Sequence, residues 1–245
     1  MSMGGRSSNK KDDTMTTPHA DNLPGSGRAD LTMVLLRSRE LGFLGPGEVE
    51  SHIRNATAFL PGIDQTLAER PLGDTGRFIM IDLGSGGGVP GLVLATLRPD
   101  LRIVLIDAAQ RRTEFLNWAV DRLGIGTRVL VERGRAEDLA RTDRLRGSAA
   151  VVTARSFAAP SATAECAVGF LTGVGARLLI SEPPETDPDR WPAEPLAQMG
   201  LRLGEVWHQD GTTVQALDVV GPCPDVLPRR VGLPERRPLF SKGRP

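Results

Sequence analysis

Between residues 78 and 91 the chain reads FIMIDLGSGGGVPG. Three glycines, Gly84, Gly86 and Gly88, alternate behind a carboxylate at Asp82. A turn without side chains lets a ligand approach the backbone where any Cβ would collide with it. Pro90 stands where a helix should begin. The unpaired N–H groups of a helix start favour polar or anionic ligand groups. A second carboxylate, Asp107, follows Gly88 by 19 positions, a spacing suited to accepting both hydroxyls of a ribose.

The ligand class follows from what surrounds the glycines. Gly86, Gly88 and Gly91 satisfy GxGxxG, so a nicotinamide or flavin dinucleotide is one reading. The full spacing is D-x-G-x-G-x-G, and a carboxylate at the strand end is poorly placed beside a pyrophosphate. It is well placed near a cation, such as the amino group or sulfonium of S-adenosylmethionine, which is the preferred reading. A P-loop is excluded because no Gly-Lys-Ser/Thr follows. A glycine turn with no ligand is the remaining alternative. Asp82, Gly84, Ser85, Gly86, Gly88 and Val89 are therefore candidate cofactor residues, with Asp107 at the ribose. Dinucleotide enzymes use the same acidic position, so Asp107 does not separate the two cofactors.

The elements that must position these residues alternate as strands and helices. Residues 78–81 are an apolar run that reads as a buried parallel strand. A helix follows Gly91 and stops at Pro99. The segment RIVLID, residues 102–107, is a second strand, and a helix over 110–123 buries Phe115, Leu116, Ala119 and Leu123. Arg111 and Arg112 lie in that helix's first turn, where cations oppose the helix dipole, so they are candidates for holding an external anion. TRVLVE is the third strand, and the loop after it places Ala136 and Glu137 beyond the carboxyl ends of the strands, where an adenine would reach. The fourth strand and its exit span 149–157. Arg155, at its end, is suited to hold a carboxylate or a phosphate. A fifth strand, ARLLIS, leads to Glu182-Pro183-Pro184. Residues 191–199 read as a helix, and 201–207 and 212–220 as an antiparallel pair closing the sheet.

Ahead of the glycine strand, residues 1–28 read as a disordered tail that includes His19. Residues 29–62 read as a cap of two helices, the second ended by Pro61-Gly62. His52 lies on its buried side as a satisfied histidine. Residues 63–227 form the main domain, and 228–245 a basic tail. That tail, PRRVGLPERRPLFSKGRP, sets Arg229, Arg230, Arg236, Arg237, Lys242 and Arg244 against Glu235 alone, a local charge of +5. Such a strip can contact phosphates, while Leu233, Leu239 and Phe240 dock part of it onto the domain. The tail follows the sheet-closing strands and need not line the cofactor crevice.

Composition excludes several classes. The 245 residues suit one domain with tails, and 40% hydrophobic content is enough for a sizeable core. Thirty basic and thirty acidic residues give a net charge of zero, so any nucleic-acid contact must be local. Cys166 and Cys223 match no metal or redox spacing, and no metal is expected. No apolar stretch is long enough to span a membrane, and the N-terminus lacks the apolar core of a signal peptide. A cytoplasmic protein with no membrane partner is expected.

The segments IDLGSGGGVPG, LIDAAQRRTEFL, GRAEDL, TARSFA and PRRVGLPERRPL occur in the order found in one family. Over residues 37–240 the chain resembles the 16S ribosomal RNA guanine-N7 methyltransferases, also called glucose-inhibited division protein B. LGFLGPGEVESHIRNA, with His52, resembles that family's N-terminal helix. The resemblance implies an α/β class I methyltransferase fold, with a Rossmann-like, mostly parallel seven-stranded sheet covered by helices on both faces. It implies S-adenosylmethionine as cofactor, bound through Gly84, Val89, Asp107, Ala136, Glu137 and Arg155. It implies ribosomal RNA or the small ribosomal subunit as partner, and the protein is expected to act as a monomer. Two positions depart from the family. Its lysine-glycine pair at the end of the fifth strand is replaced by Ser181-Glu182-Pro183-Pro184, and a serine after its N-terminal histidine is Ala56.

Two functional classes of enzyme and one of non-enzyme fit this reading. In the first, N7 of a guanine attacks directly and needs no general base, while Arg155, Arg111, Arg112, Arg229, Arg230, Arg236 and Arg237 position RNA. The second is a small-molecule methyltransferase, towards which the absent lysine and the absence of tyrosine lean, since few aromatics are on hand to stack an unpaired base. The third is a protein that binds cofactor without turnover. Labelled S-adenosylmethionine offered with undermethylated small subunits or with a metabolite extract separates them.

Overall fold

The computed structural model describes residues 25–69, 79–183 and 188–241. His19, Phe78, Pro184, Lys242 and Arg244 lie outside the described residues. The described residues open with three helices, α1 (Gly25–Glu40), α2 (Val49–Thr57) and α3 (Leu60–Glu69). Strands and helices then alternate: β1 (Ile79–Leu83), α4 (Gly91–Leu97), β2 (Arg102–Asp107), α5 (Gln110–Arg122), β3 (Val129–Arg133), α6 (Ala136–Leu139), β4 (Val151–Ala154), α7 (Pro160–Val168) and β5 (Arg177–Glu182). A 3-10 turn over Pro188–Arg190, α8 (Ala193–Gln198), β6 (Leu201–Gln209), β7 (Thr212–Val219) and α9 (Leu233–Arg236) complete it.

The seven strands form one sheet in the order β3-β2-β1-β4-β5-β7-β6. The first five are parallel, and β7 runs antiparallel to both β5 and β6. Strand order reverses between β1 and β4, the crevice where open parallel sheets bind ligands. Alternation along the strands divides the core. Met80, Ile103 and Leu105 face one cluster with the side chains of α1–α5, and Ile81, Val104 and Ile106 face the other with those of α6–α8.

The amino-terminal helices are less of a separate cap than their sequence reads. Leu31, Val34, Ile53 and Phe59 are in the same buried cluster as Leu179 and Val214 of the sheet. Helix α1 starts at Gly25, so residues 25–28 are helical. Pro61-Gly62 does not end a helix; both residues lie in the first turn of α3, where proline's missing N–H costs nothing. A Cβ on Gly62 would fall 2.9 Å from side-chain atoms of Leu179 and Trp207. That glycine lets α3 lie against the sheet. The helix read over 191–199 is shorter, because Pro192 delays its start to Ala193.

Candidate active site

The glycine turn is braced from below. Asp82 is 1% exposed. Its Oδ1 accepts a hydrogen bond from the Thr153 hydroxyl at 2.7 Å, and its Oδ2 accepts one from Gly91 N–H at 3.2 Å. Burial pushes its carboxyl up to about 6, against the pull of its hydrogen bonds and of the Arg155 guanidinium. The structure thus corrects the reading of Asp82 as a partner for a ligand cation: its oxygens tie β1 to β4 and to the start of α4. Ser85 is buried as well. Its N–H donates to Ile106 O at 2.8 Å and its hydroxyl to Asp82 O at 3.0 Å. Val89, 8% exposed, packs into the core beneath the turn. Ser38 of α1 donates to Gly87 O at 2.9 Å.

The glycines divide by what occupies the space beside them. Cβ atoms on Gly84, Gly88 and Gly91 would strike Phe157 at 2.7 Å, Leu92 at 2.4 Å and Leu105 at 2.4 Å. Gly86, at φ +51°, has only Gly84 O within 4 Å, at 3.5 Å. Protein packing explains the first three, whereas the space over Gly86 is open, as a turn that admits a ligand requires.

Asp107 closes β2 beside the turn. Its Oδ2 accepts from Gly86 N–H at 3.0 Å, and its Oδ1 from Ala109 N–H at 2.8 Å. Arg112 lies 3.6 Å from Oδ2. Asp107, Arg112, Gly84, Ala136 and Glu137 line a cavity of about 180 Å³. A carboxylate with unused lone pairs, a bare turn and the apolar Ala136 suit a ribose and its base, so these residues fit the adenosine portion of S-adenosylmethionine.

The tail, which need not have lined this cavity, reaches it. Glu137 is 7% exposed, and its Oε1 accepts from Gly232 N–H at 2.9 Å. Glu235 of α9 lines the cavity. Arg229 grips the buried Glu165 through its Nε and Nη2 at 2.8 and 2.7 Å, so it fastens the tail instead of facing outward. Arg230, Arg236 and Arg237 are exposed.

The remaining candidates are dispersed. Arg155 Nη2 lies 3.2 Å from Nδ1 of His52, whose Nε2 is 3.1 Å from Gly45 O. An arginine can only donate. His52 therefore accepts at Nδ1 and donates Nε2–H to Gly45. Burial, then Arg155, holds its imidazole below the usual value, and it is neutral. Arg155 spans from β4 to α2 and is not among the residues lining this cavity. Arg111 is exposed and sits over the Phe43 ring at 5.8 Å.

A second cavity of about 280 Å³ opens at the ends of β4 and β5. It shares Ser156, Phe157 and Ala158 with the first. Ser156 holds φ at +52°, a conformation unusual for a residue with a side chain. Sequence reasoning missed this shared wall, and also Cys166, whose thiol burial keeps protonated. The run TARSFA marked the place, but no spacing rule says that its phenylalanine stands between two cavities. At the end of β5, Glu182 and Arg190 line the second cavity. A cation thus stands near the position of the family's lysine. Among the described residues, no group of three or more His, Cys, Asp or Glu could hold a metal, and no helix is long and apolar enough to cross a membrane.

Residues 54–185 match the family model described as GidB, rRNA small subunit methyltransferase G. The ribosomal RNA small subunit methyltransferase G of Mycobacterium marinum is 36% identical over 206 residues, covering 79% of this chain and 84% of that protein. The protein of the same name from Kineococcus radiotolerans is 35% identical over 211 residues, covering 81% and 77%. Among solved structures, a putative O-methyltransferase from Klebsiella pneumoniae superimposes with a TM-score of 0.54 at 12% identity, covering 81% of this chain and 92% of that one. At that identity the likeness shows the fold alone. The cofactor is S-adenosylmethionine, the fold is that of the class I methyltransferases, and the chain belongs to the rRNA small subunit methyltransferase G family.

Proposed function

We propose that this protein transfers a methyl group from S-adenosylmethionine to N7 of a guanine in 16S ribosomal RNA. It acts as a monomer in the cytoplasm, on the small subunit or its RNA. The observation that carries this reading, given the family, is the pair of cavities sharing the wall at Ser156, Phe157 and Ala158. One suits an adenosine, and the other lies next to it at the carboxyl ends of the central strands.

When bound, S-adenosylmethionine supplies a methyl group on a positively charged sulfur, open to in-line displacement. The protein's own work is positional. Asp107 accepts the ribose hydroxyls while also holding Gly86 N–H. The buried ties of Asp82 and Ser85 keep the turn rigid before any ligand arrives. Phe157 separates the two cavities and limits how far an acceptor can slide. Guanine N7 carries a lone pair and no proton, so no residue is needed as a base. Alignment of this kind supplies up to about 7–11 kcal/mol of a barrier. Arg230, Arg236 and Arg237, all exposed, are the tail cations available to phosphates, and Arg112 is available at the crevice.

The test is incubation with labelled S-adenosylmethionine and small subunits or their RNA lacking the modification, followed by nucleoside mapping. N7-methylguanosine at a single position is the expected product. Label that appears only in a metabolite extract would replace this reading with a small-molecule activity.

A further inference from the structure

The second cavity contains a pair of charges that packing does not explain. Glu182 closes β5, where its side chain is wholly shielded from solvent and lines the cavity together with Arg190. Its Oε1 accepts from the Trp191 indole N–H at 2.8 Å, which fixes the plane of the carboxylate. Its Oε2 lies 2.5 Å from Arg190 Nε, yet neither atom has a hydrogen-bond partner, so the contact is a bent ion contact. Burial holds the Glu182 carboxyl above its usual range. Buried polar atoms are nearly always satisfied. Two charges that meet only each other, off the line of a good hydrogen bond, in a cavity at the ligand edge of the sheet, are an arrangement that a ligand can complete. Arg190 is better placed to move than Glu182, because its side chain is 20% exposed and rests over the Trp191 ring at 6.0 Å.

We infer that Glu182 and Arg190 together read the Watson–Crick edge of the guanine received by this cavity; the inference rests on the function proposed above. Guanine presents N1–H and N2–H₂ as donors beside O6 as an acceptor. A carboxylate beside a guanidinium is the complement of that edge. Adenine offers the reverse at the same two positions, an N1 acceptor and an N6 donor, and meets a like partner at both. Arg190 covers the carboxylate until the base arrives. The N1–H and N2–H₂ groups then take its place on Glu182, and the guanidinium moves across to O6. This reading leaves N7, on the adjoining Hoogsteen edge of the base, unpaired and free to face the wall shared with the cofactor cavity.

The experiment uses the full chain and a small-subunit RNA fragment carrying the mapped target guanine, or inosine at the same place. Inosine keeps N7, O6 and N1–H and lacks only the N2 amino group. The wild-type protein should prefer guanine about 10-fold, and Glu182→Gln should lower kcat/KM on the guanine RNA about 10- to 100-fold, the range for loss of a paired base contact. The decisive reading is the ratio: in Glu182→Gln, guanine and inosine should become nearly equal, while affinity for S-adenosylhomocysteine stays unchanged. A purely structural role would lower both substrates together and keep the ratio. A preserved ratio, or a wild-type protein indifferent to inosine, overturns the inference while leaving the functional reading in place. If the wild-type protein methylates no guanine at all, that reading fails and takes this one with it. Should Glu182→Gln not fold, Glu182→Asp shortens the same carboxylate and is read by the same ratio.

Discussion

The two cavities are built by different means. Around the first, carboxylates hold backbone N–H groups: Asp107 takes Gly86, Asp82 takes Gly91 and Glu137 takes Gly232. Around the second, side chains face side chains, with Glu182, Trp191 and Arg190 in contact. The first solution suits a ligand that never changes, because backbone geometry is set by the fold and tolerates little substitution. The second suits a substrate that must be distinguished from close relatives, because one side chain can be exchanged without disturbing the sheet. This chain's departure from its family's lysine-glycine pair falls on the second cavity.

The contrast can be broken most forcefully at Gly86. Gly86→Val fills the open space over the turn and strains a backbone at φ +51°. The sheet should still fold, since a Cβ there meets only Gly84 O and the strain stays within the turn. Its cofactor affinity should fall more than about 1,000-fold, above 4 kcal/mol. Calorimetry on the folded variant checks this, and unchanged affinity would remove the turn from the site.

Asp82 sharpens the contrast through pH. Its carboxyl is raised from 3.8 to about 6 by burial. The folded protein therefore holds a proton that the unfolded chain has released between those values. The contribution of Asp82 to stability is fully present below about pH 4 and is lost as pH rises through 6, by about 3 kcal/mol in all. Asp82→Asn has no such titration, so its stability should gain on that of the wild type across this window. Denaturant midpoints of both proteins from pH 4 to 8 measure it. A constant difference would mean that Asp82 is ionised throughout.

Asp107→Ala should weaken S-adenosylmethionine by about 1.5–3 kcal/mol, the range for hydrogen bonds to a charged group. S-adenosylhomocysteine should lose the same amount, because the two ligands share a ribose. A loss confined to one of them would move the ribose elsewhere.

The smallest effect belongs to the tail. Arg236→Ala with Arg237→Ala should make the salt dependence of RNA binding shallower by about 0.7–0.9 per lost phosphate contact. Because Glu235 lines the cavity proposed to take the cofactor, cofactor affinity is a necessary second measurement. A drop there with an unchanged salt slope would make α9 part of the cofactor site and no part of the RNA surface.

Much of this was legible in the sequence because it is local. The order of strands and helices follows from apolar periodicity, and β2, α4 and α5 fall where that periodicity puts them. The glycine spacing and the acidic end of β2 pointed to the turn and the cavity beside it, since both lie on elements adjacent in chain and in space. What the sequence misjudged was the direction of side chains and the company they keep over distance. Asp82 reads as ligand-facing, but Thr153 and Gly91 draw it beneath the turn. Pro61-Gly62 reads as a stop, but α3 needs that glycine to approach Leu179. The strip at 228–245 reads as one basic surface, but Glu165 removes Arg229 from it, and Glu137 draws Gly232 to the first cavity. Periodicity and spacing determine which elements form and which chemistry they bring. Only tertiary packing decides which charges are spent on one another and which remain for a ligand, because each such pairing joins residues far apart in the chain.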